Sequence, residues 1–318
     1  MEYGAHLPLI DLDGGPLRLA DLTAYARRAA ALEYRFLCAN DHLLFGRPWL
    51  DGPTALAATL EASGEMTVAT TVALPVVRGP AQTAKLLAAI DLLSGGRLVA
   101  GVGPGSSARD YAAAGISFDE RWKRFDESVR ALRSLLSGHC EGFTGAFYST
   151  EGLALEPRPL RPPPIWIASW GSPAGLRRVA RLGDGWLASG YNTTPLRFRE
   201  SLALLSEQLR AAGKSPQAFP NGIATMWLYV TGNHREADRM LMEVLAPLLN
   251  RPVEALRELA LPIGPAELCA ERISAYAEAG AERVFLWPLA DALGQLELFV
   301  ESVMPLVPAG SAIPARAS

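Results

Sequence analysis

Eight short apolar, β-rich runs alternate with longer helix-period stretches along almost the whole chain, and nothing else in the sequence constrains the fold as much. The runs are YGAHLPLI (3–10), RFLCA (35–39), MTVATTVAL (66–74), RLVAGV (97–102), PIWIAS (164–169), GWLAS (185–189), IATMWLYV (223–230) and RVFLWPL (283–289). Between them lie stretches such as LADLTAYARRAAALEY, PAQTAKLLAAIDLLS and ELCAERISAYAEAGA, whose apolar residues recur at helical spacing. Strands that each lead into a helix pair in parallel, and eight such units are the number that closes a barrel. An open doubly wound sheet is the rival and usually has fewer strands. The expected fold is therefore α/β, a (β/α)8 TIM barrel. Residues 138–163, rich in Gly, aromatic residues and Pro, read as an insertion with a hairpin between the fourth and fifth units. Residues 250–265 add helix before the eighth strand. A single domain over 1–307 and a flexible C-terminal tail over 308–318 complete the division.

Composition removes several function classes. Among 318 residues, 49% are hydrophobic and 20% charged, which suits a packed core and not a disordered chain. The formal charge of −3 offers no general grip on a phosphate backbone, so no nucleic-acid partner is expected. Cys38, Cys140 and Cys269 are odd in number and widely spaced, matching neither a disulfide framework nor a zinc ligand set. No metal is expected. The N-terminus lacks the basic and apolar regions of a signal peptide, and no apolar run approaches the roughly 18 residues of a membrane span. A cytoplasmic protein without membrane contact is the expectation.

In a (β/α)8 barrel the chemistry sits where strands end and helices begin. After the second strand stands Asn40-Asp41-His42, and His42 is the histidine expected on that face, as a proton-transfer group or as polar rim. After the fourth comes Gly101-Val-Gly103-Pro-Gly105-Ser106. These glycines permit close backbone approach to a ring or phosphate, or form a plain tight turn; the spacing fails the dinucleotide fingerprint at its third glycine. After the fifth, Ser172 caps a helix that opens with Pro173. After the sixth, Thr194 and Pro195 repeat the arrangement. Capping alone explains each, while two adjacent donor-rich turns suit a phosphate. The Leu92–Arg97 run LLSGGR belongs to the opposite face, where Arg97 braces the barrel bottom. Arg121, Lys123, Arg124, Asp126 and Glu127 read as a solvated helical face.

These strings resemble the luciferase-like monooxygenase superfamily, and most closely its coenzyme F420-dependent oxidoreductases. The resemblance rests on NDH, on VATTVALPVVRGPAQTAKLLAAIDLLSGGRLVAGVGPG, on FDERWKRFDESVRALRSLL, on PPPIWIASWGSPAGLRRVARLGDGW and on ERVFLWPL. It implies a flavin-like cofactor across the strand ends, with its phosphate near strands five and six. F420 is the expected cofactor and FMN the alternative. By position, the resemblance gives cofactor contacts to Thr71, Val72, Leu74, Gly103, Trp170, Gly171, Ser172, Ser189 and Gly190. It places a cis peptide at Thr71–Val72, makes His42 the proton-transfer group and has Asp41 orient it or fix its turn. The implied reaction moves a hydride between deazaflavin C5 and a small organic molecule. The alternatives are an FMN-dependent monooxygenase using reduced flavin and O₂ with a separate reductase, and a flavin-binding relative without turnover. A homodimer is a family expectation. Sugar-phosphate dehydrogenases of the family carry a glutamate where Ser106 stands and a lysine near the sixth strand end, and this chain has only Lys85, Lys123 and Lys214. Phe45, Trp49, Ser106, Tyr191 and Trp287, with Leu44 beside them, are instead expected to form an apolar, aromatic substrate pocket.

Overall fold

The computed structural model describes residues 1–10, 12, 17–137 and 142–308. His139, Cys140 and residues 309–318 of the expected tail lie outside the described residues. The chain runs β1 (Glu2–His6), α1 (Leu19–Ala31), β2 (Phe36–Ala39), α2 (Gly52–Ala58), β3 (Thr67–Ala73), α3 (Pro80–Leu93) and β4 (Leu98–Val102). It continues with α4 (Ala108–Ala113), α5 (Arg121–Ser137), β5 (Ile165–Ala168), α6 (Pro173–Leu182), β6 (Gly185–Ser189), α7 (Pro195–Ala211) and β7 (Asn221–Val230). The last part holds α8 (His234–Arg239), α9 (Ala246–Leu249), α10 (Val253–Arg257), β8 (Ile263–Gly264), α11 (Ala266–Glu278), β9 (Arg283–Pro288) and α12 (Ala292–Leu298).

Neighbouring strands pair in parallel in the ring β1-β2-β3-β4-β5-β6-β7-β9, and β9 returns to β1 to close it. The barrel is the eight-stranded one the alternation predicts. The two-residue β8, which the sequence does not announce, adds to the end of β7 outside the ring. The first strand is shorter than its apolar run. Leu7 still donates to the Cys38 carbonyl at 2.8 Å, but Pro8 has no amide to offer, and the chain leaves the sheet. Residues 250–265 hold the short α10 as well as β8. In the insertion, Thr144 and Ser149 form an antiparallel bridge.

Side-chain alternation stacks the barrel interior in layers. At the bottom, Arg283 pairs with Glu2 at 2.7 Å and Glu282 at 2.6 Å, and its guanidinium lies over the rings of Phe36 and Trp166. Cys38, Ala69, Leu187, Ala224 and Phe285 fill the middle. A Cβ on Gly4 would meet the Phe285 ring, and one on Gly101 would land on the Thr70 carbonyl. Two residues further along each strand lies the top layer: His6, Asn40, Thr71, Gly103, Ala168, Ser189, Trp227 and Trp287. Trp227 joins it because β7 bulges between Ile223 and Met226, where Thr225 has φ 55°.

Outside, Arg97 braces the bottom as expected, donating to Ser94 O at 2.7 Å, Ser63 Oγ at 3.2 Å and Met66 O. The expected solvated face of α5 is only partly so. Asp126 pairs with Arg178 and Arg181 of α6, and Glu127 accepts from the amides of Ala146 at 2.9 Å and Phe147 at 2.8 Å. Among the described residues no helix is long and apolar enough to cross a membrane, and no cluster of three or more His, Cys, Asp or Glu could hold a metal ion.

Candidate active site

The top layer is lopsided. Trp227, Trp287 and His6 form a continuous stack on the β7–β9–β1 side, with ring centroids 4.4 Å and 3.5 Å apart. From β3 to β6 the layer holds only Thr71, Gly103, Ala168 and Ser189. A Cβ on Gly103 would come within 2.8 Å of Val72 Cγ2 and 3.4 Å of Ala168 Cβ. The partly buried Val72 side chain thus closes over Gly103, and this half has a floor of small and aliphatic side chains with no aromatic ring. That cradle fits a flavin or deazaflavin ring.

His42 stands in the turn that follows β2, with a side chain 16% exposed. Its Nδ1 is 2.8 Å from Asp110 Oδ2, and Asp110 Oδ1 accepts from the Leu44 amide at 2.8 Å. The carboxylate that orients His42 is therefore Asp110 on α4, whereas Asp41 takes the other of its two expected parts and fixes the turn. Asp41 accepts a forked pair of bonds from Arg78 (2.7 and 2.6 Å) and one from the Leu74 amide at 3.3 Å, clamping the β3 exit to the β2 turn. Arg78 also pairs with Asp51, the cap of α2. Burial alone would push the Asp110 carboxyl up, but hydrogen bonds from His42 and Leu44 outweigh it and hold it below the usual carboxylate range. An anion at Nδ1 keeps the proton there, so Nε2 carries the lone pair of the neutral ring and the second proton of the charged one. Asp110 is hidden in the sequence because Ser107-Ala-Arg-Asp110 has the form of a capping box. Ser107 Oγ does accept from the Asp110 amide at 3.2 Å, while the carboxylate crosses to the β2 loop.

His6 is a second histidine on this face, contrary to the expectation that His42 is alone there. It is the last residue of β1 and fully buried. Its Nε2 accepts from the Asn40 amide at 3.0 Å and its Nδ1 lies 2.7 Å from the Leu7 carbonyl. Both nitrogens are engaged, and burial holds its pKa near 3. His6 is a neutral strut under the Asn40–His42 turn. The last-residue position in β1 is the signal that could have found it.

The other residues singled out from sequence fall in three places. Phe45 and Trp49 surround His42, with centroids 5.0 and 4.6 Å from its ring, and Trp49 meets Trp287 edge-on at 5.5 Å. Trp287 itself is only 1% exposed, sandwiched in the stack. Ser106 is exposed on the β4 loop, and Leu74 is buried beneath Gly105. The Thr71–Val72 peptide is cis, at the position the resemblance gives. On the β5–β6 side, Trp170 is exposed, Ser172 Oγ accepts from the Gly175 amide at 3.2 Å, and Thr194 Oγ1 accepts from the Arg197 amide at 3.3 Å. Both hydroxyls thus act as helix caps. Gly190 donates to the Ala224 carbonyl at 2.8 Å, and Ser189 accepts from Asn192 Nδ2 at 3.0 Å. Asn40 Oδ1, Trp49 Nε1 and Thr71 Oγ1 are buried without a hydrogen-bond partner among the described residues.

The luciferase-like monooxygenase family matches residues 6–283. The F420-dependent hydroxymycolic acid dehydrogenase of Mycobacterium tuberculosis is 30% identical over 228 residues, 69% of this chain and 61% of that protein. The F420-dependent glucose-6-phosphate dehydrogenase of Amycolatopsis mediterranei is 31% identical over 206 residues, 61% of each. The chain thus spans about three fifths of the length of these relatives. In fold it is similar to an F420-dependent secondary alcohol dehydrogenase solved with an F420-acetone adduct (TM-score 0.84, 20% identity, 96% of this chain and 98% of that one). It is also similar to the oxygenating constituent of 3,6-diketocamphane monooxygenase from Pseudomonas putida, solved with FMN (TM-score 0.75, 18% identity, 96% and 98%).

Proposed function

The chain belongs to the luciferase-like monooxygenase family, and from that premise we propose that it is an F420-dependent oxidoreductase acting on a small, weakly polar, partly aromatic organic substrate. The observation that carries this reading is the His42–Asp110 pair standing in an aromatic wall beside the small-residue cradle. Thr71, Val72, Gly103, Ser189 and Gly190 would hold the ring side of the cofactor, and the β5 and β6 turns its anionic side. Bound there, F420 would supply a carrier of two electrons and one proton as hydride.

The protein's own part is proton transfer and positioning. Asp110 fixes the His42 ring so that Nε2 faces reactants with either a lone pair or a proton, which serves an alcohol being oxidised or a carbonyl being reduced. Phe45 and Trp49 exclude water from that nitrogen and favour apolar substrates. Ser106 has no acid function to offer, which supports a substrate other than a sugar phosphate. The family resemblance alone supports a homodimer.

Fluorescence-quenching titration with F420 and FMN tests the cofactor. Submicromolar F420 binding with weak FMN binding is expected; tight FMN binding with none of F420 replaces the reading by an FMN monooxygenase. Screening α,β-unsaturated ketones, imines and quinones against glucose 6-phosphate tests the substrate class. Turnover of the sugar phosphate alone overturns that part.

A further inference from the structure

Between α9 and α10 the chain turns sharply at Asn250, whose backbone is left-handed (φ 49°, ψ 51°), and sends Arg251 back towards the barrel. The Arg251 guanidinium reaches the β6–α7 junction, where Nη1 donates to the Tyr191 carbonyl and Nη2 to Asn192 Oδ1. It also stands over the Tyr191 ring, 5.3 Å from the centroid. A guanidinium has donors only, so the Asn192 amide must turn its oxygen to Arg251 and its NH₂ the other way. That NH₂ donates to Ser189 Oγ at 3.0 Å. Ser189 in the top layer is therefore cast as acceptor towards Asn192. Arg78 and Arg283 are each matched by two carboxylates, but among the described residues none pairs with Arg251. Its charge stands uncompensated behind the turn.

We propose that Arg251 is the positioning residue for the anionic portion of the cofactor, setting the donor polarity of the Ser189–Asn192 turn and placing a net positive charge behind it. This rests on the reading that F420 lies across the β5 and β6 ends. Arg251 acts through the turn and need not touch the ligand. Its effect falls on a ligand that carries a phosphodiester and carboxylates, and spares the ring and ribityl chain. Lysine would keep the charge but lose the fork that spans a carbonyl and an amide oxygen.

The test is a set of fluorescence titrations with two probes, F420 and its phosphate-free fragment, the 8-hydroxy-5-deazaflavin ribityl compound. Wild type, Arg251→Met, Arg251→Lys, Asn192→Ala and the Arg251→Met/Asn192→Ala double variant are compared, with thermal melts alongside. Arg251→Met is expected to weaken F420 by about 10–100-fold and the fragment by less than about threefold. Arg251→Lys should fall between, and the double variant should lose little beyond Arg251→Met, because both act on one network. Asn192→Ala leaves the Arg251 charge in place, so a smaller loss confined to F420 supports the network even if Arg251→Met folds poorly. Equal losses for both probes, or no loss for F420, overturn the proposal while leaving the cofactor reading intact. Wild type that binds neither probe overturns both.

Discussion

A histidine moves protons well when one ring nitrogen is fixed and the other is free, and the two histidines of this face divide on that criterion. His42 has Nδ1 on Asp110; His6 has both nitrogens engaged within the protein. His42→Ala is accordingly expected to lower kcat by about 10²–10⁴-fold with cofactor Kd nearly unchanged, measured by steady-state kinetics and fluorescence titration on a variant whose circular dichroism is native. His6 makes a different prediction. Its folded pKa near 3 lies below the roughly 6.5 of an unfolded histidine, so the unfolded chain takes up a proton that the folded one refuses. Stability should therefore fall as pH drops from about 6.5 towards 3, by up to about 1.4 kcal/mol per unit. Urea melts across that range should show the slope, and His6→Gln should flatten it; an unchanged slope would exclude His6 as the cause. Asp110 has a depressed pKa, so its contribution is present above about pH 4 and fades only below that. Of these residues, His42 was legible because Asn-Asp-His ends a strand. Asp110 was not, since its bond spans 68 positions and its local pattern already has a capping explanation.

The eight strands were readable as elements because a parallel barrel strand is buried on both faces and leaves a continuous apolar run. What the runs conceal is where a strand stops being useful. The β7 bulge at Thr225, a non-glycine residue at positive φ, has no sequence signature, yet it brings Trp227 into register with Trp287. The stretch from Asn250 was read only as extra helix, and the left-handed Asn250 that turns Arg251 towards β6 has no sequence signature. Junction tightness is likewise a contact property. Gly52 opens α2 against the end of β2, and a Cβ there would land on the Asn40 carbonyl oxygen, whereas one on Gly46 would meet nothing within 4 Å. Gly52→Ala should cost about 1–3 kcal/mol by denaturant unfolding and displace the Asn40–His42 turn, lowering kcat as well. Gly46→Ala, in the same loop, should stay within about 0.5 kcal/mol of wild type. Similar losses in the two variants would mean that the loop is generally sensitive and that the Gly52 contact is not the reason.

Across the whole molecule, the Arg283 cluster and the proposed site sit at opposite ends of one barrel. Arg283 closes the bottom with Glu2 and Glu282 over the Phe36 and Trp166 rings, far along the strands from His42. Arg283→Met removes the cation that pairs with Glu2 and Glu282 and should lower unfolding free energy by about 3 kcal/mol. At temperatures where the variant remains folded, kcat should match wild type; a parallel loss of kcat would show that the two ends are coupled. The uneven top layer has a consequence for how such an enzyme can diversify. Residues that shape the aromatic side (Phe45, Trp49, Trp227, Trp287) come from β2, β7 and β9 units, whereas the small floor belongs to β3 through β6. On the proposed reading, a descendant could exchange its acceptor molecule by replacing bulky rings on one arc, and the redox partner on the other arc would not need to be relearned.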